Sequence, residues 1–100
     1  MRGVSRELRD FGEWYEAAYR GLYVSMLALT GDRELASDAT DEAFVRALAH
    51  WSRVSEMDAP EGWTYRVAVN VLRRTTRRRA MERRLLRRAA VPVTGGWFGC

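Results

Sequence analysis

Among its 100 residues the sequence has one cysteine, one histidine, two prolines and no lysine. Each shortage removes a class of protein. Cys100 stands alone at the last position, so it forms no internal disulfide and has no second cysteine with which to hold a metal. It reads as an incidental terminus. His50 sits at the end of a helical pattern, where a solvated or capping role fits better than catalysis. No Ser/His/Asp or Cys/His set can be assembled, and no glycine-rich phosphate loop or glycine-spaced nucleotide fingerprint is present. An enzyme is therefore not expected, and neither is a metal, a cofactor or a small-molecule substrate. No run approaches the roughly 18 uninterrupted apolar residues of a membrane span. Residues 1–10 place Arg2, Arg6, Glu7, Arg9 and Asp10 where a signal peptide needs an apolar stretch. A cytoplasmic protein is the expectation.

What is present is a foldable chain. Apolar residues make up 47% of it, too many for a disordered segment, and its length suits one domain with one modest core. All 17 basic residues are arginine. Residues 1–62 hold seven arginines and twelve acids, a balance of −5, whereas residues 63–100 hold ten arginines and only Glu82, a balance of +9. A surface built only for solubility mixes its signs. Segregation of this kind points to a polyanionic partner for the second part.

Three helical segments are legible, and no sheet-forming alternation or repeat is. In 8–29, Phe11, Tyr15, Ala18, Leu22, Met26 and Leu29 recur at three- and four-residue spacings and share a face. Gly31 supplies the stop, and Asp32 can cap the next segment with Glu34 in its first turn. In 33–51, Ala36, Ala39, Ala43, Phe44, Ala47 and Trp51 fall on one arc, where the alanines allow a neighbouring helix to approach closely. The opposite arc holds Asp38, Asp41, Glu42 and Val45. It reads either as an ordinary solvated face or as a surface for a basic, partly apolar partner. A loop is expected at 52–59, with Asp58 as a cap and Pro60 in the first turn of a third helix that reaches at least residue 79 and at most 88. Its core arc is Thr64, Val67, Ala68, Val71, Leu72 and Thr75. The tail, 89–100, carries Pro92, Gly95, Gly96 and Gly99 and reads as irregular, with no packing partner evident for Trp97 and Phe98.

The other arc of the third helix carries the chemistry. Arg66, Arg73, Arg74 and Arg77 can neutralise phosphates and release counterions, a contribution that does not depend on base sequence. Trp63 can stack on an unpaired base, and Asn70 can donate and accept at a base edge. Together they suit DNA that is partly single-stranded. Two plainer readings stand beside this one: Trp63 as a lid on the core, and Asn70 as an interhelical hydrogen-bonding residue.

At these residues a resemblance becomes specific. Leu29-Thr30-Gly31-Asp32, then Ala36-Ser37-Asp38-Ala39-Thr40-Asp41-Glu42-Ala43-Phe44, then Pro60-Glu61-Gly62-Trp63-Thr64-Tyr65-Arg66-Val67-Ala68-Val69-Asn70 resemble region 2 of bacterial sigma factors, the extracytoplasmic-function (ECF) group above all. Order, spacing and the arginine-rich continuation agree over 11–79, and the all-arginine usage resembles a high-GC actinobacterial version. The resemblance implies that Asp38, Asp41, Glu42 and Arg46, around Val45, bind the clamp-helix coiled coil of the RNA polymerase β′ subunit. At Asp41 the family usually has glutamine, so an acceptor is kept and a donor lost. It implies that 54–61 and the start of the third helix hold a flipped base of the minus-ten promoter element. Trp63, Tyr65, Arg66, Asn70, Arg73 and Arg74 would engage the melted strand and the upstream duplex backbone. It also implies masking of these surfaces by an anti-sigma factor.

The expected fold is all-α, a compact three-helix domain with the first two helices antiparallel and the third packed across them. The domain occupies 1–88, with its core at 8–79 and the start of a linker at 80–88. The family's second domain, whose helix-turn-helix reads the minus-thirty-five element, is not found before Cys100. Two rival functions fit the same residues. One is a generic basic nucleic-acid-binding domain; the other is an interaction module or decoy that binds polymerase or an anti-sigma factor without initiating transcription.

Overall fold

The computed structural model describes residues 2–98, with side-chain detail over 5–90. The described residues are all-α, with four helices: α1 Arg2–Thr30, α2 Arg33–Ala49, α3 Trp51–Val54 and α4 Pro60–Phe98. Among the described residues no helix is long and apolar enough to cross a membrane.

The turn between α1 and α2 is built as its residues require. Gly31 takes φ +65°, a left-handed conformation costly for other residues, and its N–H bonds the Leu27 carbonyl at 2.7 Å. The Asp32 carboxylate then accepts from the N–H groups of Glu34 and Leu35, at 3.0 and 3.1 Å, and caps α2. So short a turn folds α2 back along α1. The pairing confirms the direction: Phe11 meets Trp51, whereas Tyr19, further along α1, meets Asp41, earlier in α2.

Leu22, Met26, Ala36, Ala39, Ala43 and Phe44 form the main core with Ala68, Val71 and Leu72 of α4. The alanines on α2 let both other helices come close, and Phe44 fills the remaining space against the rings of Trp14, Tyr15 and Tyr19. A second cluster, Ala47, Trp51 and Val54, closes the end of the bundle beneath Phe11, Trp14 and Trp63. Two threonines are buried without penalty, because Thr40 and Thr64 donate to the carbonyls of Ala36 and Pro60 one turn back.

Several boundaries differ from the sequence expectation. A short helix, α3, occupies the first part of the expected loop, because burying Trp51 and Val54 fixes that turn against the bundle. Ala59, not Asp58, meets the start of α4: its carbonyl accepts from the N–H groups of Gly62 and Trp63. Leu29 lies on the core arc but is 57% exposed, since it falls in the last turn, beyond the part of α1 that its neighbours cover. Tyr15 is exposed on one edge while its ring packs on Phe11, Tyr19 and Phe44. The largest difference is at the end of the chain. The helix continues from Pro60 to Phe98, so the backbone of 89–98 is helical where an irregular tail was expected. At about 1.5 Å per residue, 39 residues span about 58 Å, which makes the molecule 72 Å long and only 29 by 18 Å across. The side chains of Trp97 and Phe98, and all of Cys100, lie outside the described residues.

Candidate functional site

The molecule presents two faces of opposite charge. On α2, at 100° per residue, Asp38, Asp41, Glu42 and Val45 fall within one arc, directly opposite the buried Ala39, Ala43 and Ala47. All four are exposed, Val45 at 66%. The acids are not simply solvated. The Tyr19 hydroxyl donates to the Asp41 carboxylate at 2.7 Å and holds it over the junction of α1 and α2. Burial, and then this bond, push the Tyr19 hydroxyl up to about 12. Arg46 reaches back one turn to Glu42 at 3.0 Å, an exposed pair worth about 0–1 kcal/mol. Of the three acids, Asp38 alone is left without such a tie among the described residues.

Between these acids and α1 lies a cavity of about 300 Å³ lined by Phe11, Tyr15, Asp41, Phe44, Val45 and Leu48. The sequence reading missed Leu48, Phe11 and Tyr15 here. Leu48 was legible, being three residues after Val45 and on the same arc. The two α1 aromatics were assigned to the core, and only the packing of the two helices shows that their edges reach the groove. The result is an apolar slot rimmed by carboxylates, suited to a partner with apolar side chains flanked by basic ones.

The second face is on α4. Arg66, Asn70, Arg73, Arg74 and Arg77 are all exposed, on the side away from the buried Thr64, Ala68, Val71 and Leu72. Asn70 makes no side-chain hydrogen bond among the described residues, so its amide is free for a ligand and does not join helices. Trp63 is placed as a lid on the core and keeps part of its surface open. It is half-buried against the Ala47, Trp51 and Val54 cluster, and it also walls a cavity of about 190 Å³ with His50, Arg53, Val54 and Met57. This cavity sits at the end of the arginine row and combines an aromatic ring, a guanidinium and an imidazole. His50 has its backbone N–H on the Arg46 and Leu48 carbonyls at the end of α2, and its side chain is exposed at the cavity.

Tyr65 stands apart from the row. It is exposed on the other flank of α4, where it lines a cavity of about 310 Å³ between α1 and α4 with Trp14, Ala17 and Gly21. That cavity is the largest of the three. Two of its polar side chains are engaged: Glu61 accepts from the Trp14 indole at 3.0 Å, and Ser25 donates to the Gly21 carbonyl at 3.0 Å. The Glu61–Trp14 bond ties the start of α4 to α1.

The Sigma-70 region 2 family matches residues 14–82, so the chain belongs to that family. No curated protein and no solved structure matches it. The family is a transcription initiation factor domain, not a catalytic one, and it carries a sigma-factor role of binding core RNA polymerase and promoter DNA. The match runs from the middle of α1 through α2 and α3 into α4, and so takes in both charged faces.

Proposed function

We propose that the chain is an ECF-type sigma region 2 domain that docks on core polymerase through α2 and stabilises the melted minus-ten strand through α4. Asp38, Asp41, Glu42, Val45 and Arg46 meet the β′ clamp-helix coiled coil, with an apolar side chain of the partner entering the slot beside Leu48. Arg66, Arg73, Arg74 and Arg77 hold phosphates. Asn70 reads a base edge, and the cavity beside Trp63, with the 54–61 segment, accepts a base that has left the stack. Tyr65 contributes at the margin, from the α1 side. Residues 1–88 act as the domain, and 80–88 begin the linker. An anti-sigma protein covering either face switches the domain off, and the work is done in the cytoplasm.

The observation that supports this reading is the position of Trp63 and Asn70. A stacking group and a base-reading group stand within the arginine row, on the same small body that presents carboxylates around Val45. A generic basic domain has no use for the second surface. The test is charge reversal of that surface. Asp38→Arg with Glu42→Arg is expected to weaken binding to core polymerase at least tenfold, while single-stranded DNA affinity and the helical circular-dichroism spectrum stay as they are. Unchanged polymerase affinity with a normal spectrum removes α2 from the docking surface. Polymerase binding by a wild-type chain that cannot tell a minus-ten strand from a scrambled one would support the decoy instead.

A further inference from the structure

We propose that the exposed stretch of α4 from Met81 to Ala90 docks into the acidic slot of α2 on a second copy of this chain, and that copies joined in this way hide the slot from polymerase. The hiding rests on the reading of α2 as the polymerase-docking face; the association itself does not.

Every residue from Met81 to Ala90 is exposed, with Met81 and Leu85 at 58% and Leu86 at 68%. Single apolar residues scattered on a surface are ordinary, but these are ordered. At 100° per residue, Met81, Leu85 and Ala89 fall within about 80° around the α4 axis. Arg77, Arg84 and Arg88 run along one edge of that stripe. Glu82, the sole acid after Glu61, lies on the other side with Leu86. The segment is thus an apolar stripe with one basic edge.

The α2 slot is its complement. Val45 and Leu48 share one side of α2, 66% and 42% exposed, over the cavity of about 300 Å³ that Phe11, Tyr15 and Phe44 complete. Asp38 and Glu42 stand along one edge. Laid parallel to α2, the segment seats Met81 and Leu85 against Val45 and Leu48 and brings its arginines to the same side as these acids. The slot it meets is not its own. α4 begins at the end of the bundle where Glu61 bonds Trp14, beside the Phe11 and Tyr15 of the slot. From Glu61 it runs unbroken, and Leu85 lies about 36 Å further along its axis. A continuous helix cannot return to the end from which it started.

Charge favours the same partner. Arg73 and Arg77, Arg74 and Arg78, Arg79 and Arg83, Arg83 and Arg87, and Arg84 and Arg88 are like charges one turn apart, each pair destabilising an isolated helix. None of them pairs with a carboxylate among the described residues. With −5 over residues 1–62 and +9 over 63–100, two copies attract head to tail and repel tail to tail. A second copy brings carboxylates and an apolar recess together. Nucleic acid brings the charge alone and leaves Met81 and Leu85 in water. The contact covers about 15 Å of helix, so the association is weak and grows with concentration.

The experiment follows the mass of the full chain, free of nucleic acid, by analytical ultracentrifugation at rising concentration. Reductant is present so that Cys100 cannot link copies. Wild type at low salt is expected to shift from monomer to dimer or longer head-to-tail chains. It should return to monomer near 1 M salt, where the Debye length is about 3 Å. Two variants, each with a wild-type circular-dichroism spectrum, should stay monomeric: Met81→Ser with Leu85→Ser, which keeps every charge, and Asp38→Arg with Glu42→Arg. Mixed, they should form a one-to-one pair, because one keeps the slot and the other keeps the α4 stripe. At a concentration where wild type is associated, the serine variant should bind core polymerase several-fold more tightly than wild type does. A wild-type chain that stays monomeric overturns the proposal and leaves the polymerase reading standing. So does a monomer whose affinity for phosphatidylglycerol-containing vesicles falls in the serine variant, which moves the stripe to a membrane surface. Association that survives in the Asp38 and Glu42 variant places the contact elsewhere and overturns it too. Association as described with equal polymerase affinity for wild type and the serine variant overturns the hiding of the slot. Polymerase binding by neither defeats the reading of α2, whatever the mass shows.

Discussion

The acidic face of α2 and the basic face of α4 are built on different physical terms. On α2 the charges are partly satisfied at home: Tyr19 holds Asp41, and Arg46 holds Glu42. Asp41 is positioned before any partner arrives, and an apolar slot lies beside it. On α4 the arginines have no such anchors among the described residues, they repel one another along the helix, and only their spacing is fixed. The first surface is suited to a partner with shape, where a prearranged site reduces the ordering cost of docking. The second is suited to a partner defined mainly by charge density, where long side chains can adjust to phosphates while the backbone of the helix keeps the register.

The sharpest way to break this contrast is to remove what the two faces share. Phe44 is buried beneath the α2 face and packs on the α1 rings that line the slot. Phe44→Ala is expected to cost about 3–5 kcal/mol and to lower Tm by roughly 12 °C or more. Both binding activities should then fall together as the body loosens. Normal melting with only one activity lost would mean that the faces do not depend on a common core.

A smaller effect tests whether α4 is more than charge. Asn70→Ala should cost about 1–3 kcal/mol on the preferred minus-ten strand and little on a scrambled one, measured by fluorescence anisotropy with the two strands. Equal losses would reduce the α4 face to electrostatics. Thermal melting should be unaffected, because Asn70 is exposed and holds nothing in place.

The smallest effect concerns the home-held charges. Tyr19→Phe deletes the hydroxyl that bonds Asp41, which should cost about 1 kcal/mol of stability and weaken polymerase docking modestly, with DNA binding unchanged. It also has a signature in pH. The Tyr19 hydroxyl is pushed up to about 12, by burial first and then by its bond to Asp41. The folded chain therefore holds that proton more tightly than the unfolded chain, whose tyrosines titrate near 10. The stabilisation is complete below about pH 10 and disappears as pH rises from there towards 12. Melting curves across that window should slope downward for wild type and less steeply for Tyr19→Phe. Identical slopes would mean that the bond is not maintained in solution.

Much of this was legible in the residues. The core arcs of α2 and α4 follow from a 100° repeat, and Ala36, Ala39, Ala43, Phe44, Ala47, Trp51, Thr64, Ala68, Val71 and Leu72 are buried as the spacing requires. The Gly31–Asp32 turn was legible because each residue has a local reason to be there. The helical backbone of 89–98 was not: Pro92 and three nearby glycines argue locally against a helix, and the structure continues one. The α3 turn was missed because four residues are too few to show a period, and burial of Trp51 and Val54 decides it.

By itself the sequence determined which residues share a face, since on one helix that depends only on spacing. It set the segregation of charge, the acidic stripe of α2 and the arginine row of α4. Tertiary structure alone decided what lies between helices. It placed Tyr19 under Asp41, brought Phe11 and Tyr15 to the edge of a slot beside Val45, tied Trp14 to Glu61, and left Trp63 half-buried at the mouth of a cavity. Periodicity fixes the direction of a side chain around its own axis. Which residue of a neighbouring helix it meets depends on how far the two helices slide along each other, and that is set by how alanines and aromatic rings pack at their contact.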